Sequence, residues 1–157
     1  MKKITLLLFT LIFIILAGCN KGSNLSDSNT KSYQGEGYSI TVPSSSYRYE
    51  KDFDDGNFEE KWEHIKYDDV DIKVTTFKNL DEATALNKFL SDNNDYIFED
   101  LTGFPICGTE PDGDTLCFAL YKNDSSVYIV SWEYPKYVDE SIKTELSEIS
   151  QSFTFTK

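Results

Sequence analysis

Three cysteines, one histidine and 27 carboxylates are the residues of this 157-residue chain whose types could do chemistry. Cys107 and Cys117 flank Glu110-Pro111-Asp112-Gly113-Asp114. That segment suits a three-residue hairpin loop, with Pro at the first turn position, Asp at the second and Gly in the left-handed conformation. Pairing outward from 110 and 114 sets 109 against 115, 108 against 116 and 107 against 117. The two cysteines then fall on a non-hydrogen-bonded pair, where Cα atoms approach to about 4.5 Å and a disulfide can close. A redox or metal-binding pair is disfavoured, because the spacing is not C-x-x-C and no histidines accompany it. His64, the sole histidine, shares a strand face with Trp62 and Lys66 and has no G-x-S-x-G partner motif, so it reads as structural. The acidic groups Glu110, Asp112, Asp114 and Asp52, Asp54, Asp55 suggest calcium at first sight. An EF-hand loop starting at Glu110 would need Gly sixth and Glu twelfth, where Thr115 and Tyr121 stand. No catalytic set, metal site or cofactor is therefore expected, and 27 acids make chance carboxylate pairs inevitable.

Cys19 belongs to a different pattern. Lys2 and Lys3 precede an almost wholly apolar run from Ile4 to Leu16, too short for the roughly 20 residues of a spanning helix. Leu16-Ala17-Gly18-Cys19 follows, and it resembles the lipobox of bacterial lipoprotein signals. The resemblance implies cleavage before Cys19 and a diacylglyceryl thioether on its sulfur, the one side-chain atom nucleophilic enough to take the lipid readily. Residues 1–18 are thus expected to be a signal peptide. Anchoring by two or more acyl chains would hold the protein on the extracytoplasmic face of the cell membrane.

Loss of Lys2 and Lys3 leaves 13 basic residues against 27 acidic ones, a formal balance of −14. Such a domain repels phosphate backbones and anionic headgroups, which argues against nucleic acid as a partner and leaves membrane contact to the lipid. From Asn20 to Gly37 the sequence offers almost nothing to bury, so 19–37 is expected to be the lipidated cysteine and a flexible polar tether with a typical reach of roughly 20 to 25 Å.

Residues 38–157 suit a single domain. Tyr38 to Val42 alternates as a strand that Pro43 stops, and Tyr47 to Lys51 is a second extended piece leading to the turn signal Asp54-Asp55-Gly56-Asn57. Phe58 to Tyr67 and Val70 to Phe77 form a hairpin about Asp68-Asp69. In the second of these, Asp71, Lys73 and Thr75 occupy the wetter face. Leu80, Ala83, Leu86, Phe89 and Leu90 recur at helical spacing, which predicts a helix over Asn79 to Ser91 with Asn79 and Glu82 as a reciprocal cap. Tyr96 to Ser131 reads as a three-stranded meander whose last two strands are apolar on both faces. Asp139 to Gln151 predicts a second helix, and Phe153 to Phe155 a closing strand. The fold class is therefore α+β, a central antiparallel sheet flanked by two helices.

Gly37-Tyr38-Ser39-Ile40-Thr41-Val42-Pro43, Tyr128-Ile129-Val130-Ser131-Trp132 and Ile149-Ser150-Gln151-Ser152-Phe153, in this order of elements, resemble the PsbP-like fold family over most of residues 37–155. That family includes extrinsic subunits of photosynthetic complexes and small bacterial lipoproteins. The resemblance implies an α/β/α sandwich acting as a non-catalytic docking or accessory module, and transfers no functional residue.

Aromatic residues make up 15% of the chain. Trp62, Tyr96, Tyr134 and Tyr137 are candidates to line a groove for a sugar or an extended peptide, since flat rings offer contact area at little entropic cost. The expected function is that of a lipid-anchored interaction module docking an envelope protein, the alternative being a small-molecule or glycan binder that uses those rings.

Overall fold

The computed structural model describes residues 29–54, 57–123 and 125–157. The expected signal segment, Cys19, the start of the tether, and Asp55 and Gly56 of the first turn lie outside them. Among the described residues no helix is long and apolar enough to cross a membrane.

The elements run β1 (Thr30–Gln34), β2 (Tyr38–Pro43), β3 (Tyr47–Asp54), β4 (Asn57–His64), β5 (Asp71–Lys78), α1 (Glu82–Asp92), β6 (Ile106–Thr109), β7 (Thr115–Lys122), β8 (Ser126–Tyr134), α2 (Glu140–Gln151) and β9 (Thr154–Phe155). They build a sheet-dominated α+β fold with two antiparallel sheets, one ordered β1-β2-β9 and the other β3-β4-β5-β8-β7-β6.

The expected single sheet is thus two, because Tyr38–Pro43 pairs with β1 and β9 rather than with the hairpins. The ordered domain also starts earlier than expected. Thr30–Gln34, placed in the tether by its polarity, lies in full register against Ser39–Pro43. Gly37 permits the connection, with φ at 84°, a region that side chains bearing Cβ disfavour.

Strand alternation sends the residues of the six-stranded sheet to two cores. Trp62, Ile72, Val74, Val130 and Trp132 face one way, beneath Ile40 and Val42 of the small sheet and Leu146 and Ile149 of α2. Phe77, Phe118, Val127 and Ile129 face the other way, beneath Ala85 and Phe89 of α1. β8 is buried on both faces, as its unbroken apolar run requires. One of the two covering layers is therefore a strand-and-helix layer rather than a helix alone.

The first helix begins later than the periodicity predicts. Asp81, not Asn79, is its N-cap, accepting the Thr84 backbone N–H at 2.8 Å and the Thr84 hydroxyl at 3.0 Å. Asn79 instead adopts a φ of 58° and turns the chain out of β5. The first strand of the meander is also shorter than expected: Ile97 bridges Thr109, and only Ile106–Thr109 is continuous strand.

The Glu110–Asp114 loop closes as its turn chemistry requires. Glu110 N–H donates to Asp114 O at 2.9 Å, Gly113 N–H donates to Glu110 O at 3.0 Å, and Gly113 has φ of 105°. Cys107 then faces Cys117 and the two are bonded, with Cα atoms 4.0 Å apart. On the chain-entropy account, so short a loop stabilises the fold by about 2 to 3 kcal/mol. A Cys107→Ala/Cys117→Ala variant is expected to lose that much in urea unfolding. A loss below about 0.5 kcal/mol would show that the bridge does not constrain the unfolded chain.

Candidate functional site

The two faces of the large sheet are not covered alike. Over β6, β7 and β8, α1 and the side chains of Tyr96, Phe98 and Ile106 seal the second core. Over β3, β4 and β5 the same face carries charged rows instead. Register puts Arg48, Glu63, Asp71 and Glu133 side by side in one row, and Glu50, Lys61, Lys73 and Ser131 in the next. Glu59 and Thr75 follow beside Ile129.

The sign changes along β3, β4 and β5 from one row to the next, while like charges adjoin within a row, Glu63, Asp71 and Glu133 in the first and Lys61 and Lys73 in the second. Lys61 Nζ lies 2.8 Å from Glu63 and 3.1 Å from Asp71, and Arg48 bonds Glu63 at 2.5 Å and Glu50 at 3.2 Å. Lys73 reaches Asp71 only at 3.9 Å. Desolvation pulls the Lys61 ammonium down, but Glu63 and Asp71 outweigh it and hold the group charged above its usual range. Hydrogen bonds from Lys61 and Arg48 hold the Glu63 carboxyl below its usual range. Glu133 goes the other way. Burial pushes its carboxyl up, and Asp71 adds to the rise, against the opposing hydrogen bond from the Tyr96 hydroxyl at 2.6 Å.

Two clefts open on this face. One, of about 450 Å³, lies where the last turn of α1 meets Glu59, Lys73, Thr75 and Ser131. The other, of about 500 Å³, follows the turn from His64 to Asp71 and takes in Arg48, Lys61 and Glu133. Lys73 stands between them and borders both.

The aromatic candidates are not brought together. Trp62 is 0% exposed, under Tyr33 with ring centroids 5.3 Å apart, and its Nε1 has no hydrogen-bond partner among the described residues. Trp132 is 3% exposed. Tyr96 belongs to the opposite core and bonds Glu133. Tyr134 is half-buried with Lys143 Nζ 5.5 Å over its ring, while Tyr137 alone is open, 68% exposed. A binding groove built on Trp62 has no surface here, because strand alternation and the docking of β1 put both indoles inside.

His64 lies at the rim of the second cleft in a structural role. Its Nδ1 accepts the backbone N–H groups of Lys66 at 3.1 Å and Tyr67 at 3.2 Å, which requires that nitrogen to be unprotonated. Burial, joined by Lys66 and opposed by Glu145, lowers its pKa. A histidine held below its unfolded value of about 6.5 binds fewer protons folded than unfolded, so its contribution is full above that value and fades as pH falls through it. Between pH 7 and pH 5 the protein is expected to lose more in Tm than a His64→Gln variant. Equal slopes would show that the turn does not depend on the neutral ring.

Local sequence expected Asp71, Lys73 and Thr75 to form a wet face of β5, but Asp71 and Thr75 are buried and only Lys73 is half-buried. It missed Lys61, Glu63 and Glu133 as their companions, since only the cross-strand register reveals those neighbours.

No family model matches the chain, and no curated protein does. Among solved structures, a protein from Bacteroides thetaiotaomicron VPI-5482, with a crystal structure at 1.50 Å resolution, is similar over 82% of this chain and 49% of its own. The identity is 14% and the TM-score 0.49, and this chain spans about half the length of that protein.

Proposed function

We propose that this chain is a lipid-anchored, non-catalytic accessory module of the cell envelope, attached through Cys19 and docking an envelope protein through the uncovered half of its large sheet. Its finer architecture is read here as a PsbP-like α/β/α sandwich, the small sheet joining α2 as one layer. The observation that carries the reading is the charged rows of β3, β4 and β5, left open where the rest of that face is sealed by α1. A fixed pattern of positive and negative groups favours specificity and correct register with a complementary protein surface more than raw affinity. The alternative, a glycan binder using surface aromatics, loses support with the burial of both indoles.

Two measurements test this. Cys19→Ser in the full chain is expected to move the protein from the membrane fraction to the soluble one; unchanged processing and retention would remove the lipid from the account. A photo-crosslinking amino acid at Glu50, on the open face, should capture one specific neighbour in intact cells, whereas the same group at Ser141 on α2 should not. Identical captures from both positions, or none from Glu50, would overturn the assignment of the face.

A further inference from the structure

The cleft beneath the last turn of α1 has a feature that a docking face does not require. Lys73 and Lys88 border it, and so do Glu59 and Asp92. Among the described residues no salt bridge joins any of these four to another, and Lys73 has only the 3.9 Å contact with Asp71, outside the cleft. Two charges of each sign are thus held around one space of about 450 Å³ without neutralising each other. Ammonium groups lying partly out of water without an acceptor have lost hydration with nothing in return, and a bound carboxylate restores it.

The floor points the same way. Ser131 is 2% exposed and lines the cleft, yet its hydroxyl makes no hydrogen bond among the described residues. That oxygen is not one of the described polar atoms closed off without a partner, which are Trp62 Nε1 and Thr76 Oγ1, so it opens to the cleft, where a ligand atom can take the place of water. Thr75 adds a second hydroxyl, held only by a 3.5 Å contact with Glu59. Phe77, Phe89 and Leu116 supply apolar wall. The volume falls in the range of small-molecule sites, and the lining is mostly polar, as a charged ligand requires.

We infer that this cleft binds a small zwitterion with an apolar body, an amino acid or short peptide with free ends. Its carboxylate is met by Lys73, Lys88 and the Ser131 hydroxyl, and its ammonium by Glu59 and Asp92. The occupant is a small molecule rather than the envelope protein proposed above, so the two readings can fail separately.

The test is titration of the purified full-length protein in nanodiscs with Ala-Ala-Ala, Ala-Leu-Ala and Ala-Phe-Ala, each with free ends, N-acetylated, or as the C-terminal amide. Calorimetry gives affinity, and amide NMR shifts at Thr75, Ser131 and Asn93 give location. At least one free peptide should saturate and shift those amides, with either blocked form at least tenfold weaker. Lys73→Met should weaken the free peptide about tenfold while leaving the amide form unchanged, and Ser131→Ala should weaken it severalfold with the spectrum otherwise intact. No saturation by any free peptide, or equal binding of free and blocked forms, overturns the inference. If the Glu50 crosslink survives that result, the docking face stands without the ligand; if the peptides bind and the crosslink fails, the reverse holds.

Discussion

Trp62→Ala is expected to lower the unfolding free energy by about 3 to 5 kcal/mol, the range for emptying a large aromatic site in a packed core. Trp62 is fully buried, opposite Ile72 in the sheet, with the rings of Tyr33 and Tyr49 at 5.3 and 5.4 Å. Its loss removes the surface on which β1 rests, so the cost includes weakened packing of the whole β1 strand. For a domain of this size the Tm should fall by roughly 10 to 20 °C. Trp62→Phe should lose much less, about 1 to 2 kcal/mol, because the indole Nε1 has no partner to forfeit. Thermal unfolding of the three proteins followed by circular dichroism decides the matter. A Trp62→Ala variant within 1 kcal/mol of the native chain would mean that β1 does not close over the ring.

The second large effect centres on Glu60, a carboxylate only 4% exposed on the core face of β4. The Tyr38 hydroxyl donates to it, the Tyr49 hydroxyl donates at 2.6 Å, and Lys51 Nζ lies 3.9 Å away. Burial, followed by the carboxylate itself, pushes both phenols far above their usual range, so they remain protonated donors throughout ordinary pH. Tyr38→Phe/Tyr49→Phe should therefore cost about 3 to 5 kcal/mol, more than two ordinary hydroxyl deletions, because it strands a charge away from water. Adding Glu60→Leu should recover most of that loss. A triple variant as unstable as the double one would show that the loss does not come from the stranded Glu60 carboxylate, and a double-mutant cycle in urea provides the coupling energy.

How far the fold could be read beforehand depended on the distance over which each feature is encoded. The disulfide register was legible because five consecutive residues, Glu110 to Asp114, dictate the loop and the loop dictates the pairing. The second helix was legible from its own apolar spacing, to within one residue at its start. β1 was not. Its residues, Thr-Lys-Ser-Tyr-Gln, have one apolar group among five, and the strand exists because β2 offers an edge and Tyr33 finds Trp62 and Tyr49. The start of α1 was misplaced for a local reason, since Asn79 and Asp81 both suit a cap and only the turn out of β5 selects between them. The charged rows lay beyond local reading altogether. Asp71 meets Glu133 across 62 residues of sequence, and no short-range pattern encodes that meeting.

The pairing of Thr30–Gln34 with β2 also fixes how far an anchored copy can roam. From Cys19 to Thr30 there are eleven Cα steps, and at full extension these span no more than roughly 40 Å. With the sulfur of Cys19 in a bilayer, the stitched strand caps the height of the globule above the headgroups, whatever the intervening residues do. On the proposed anchoring, a partner's surface must come within that reach plus the breadth of the domain itself.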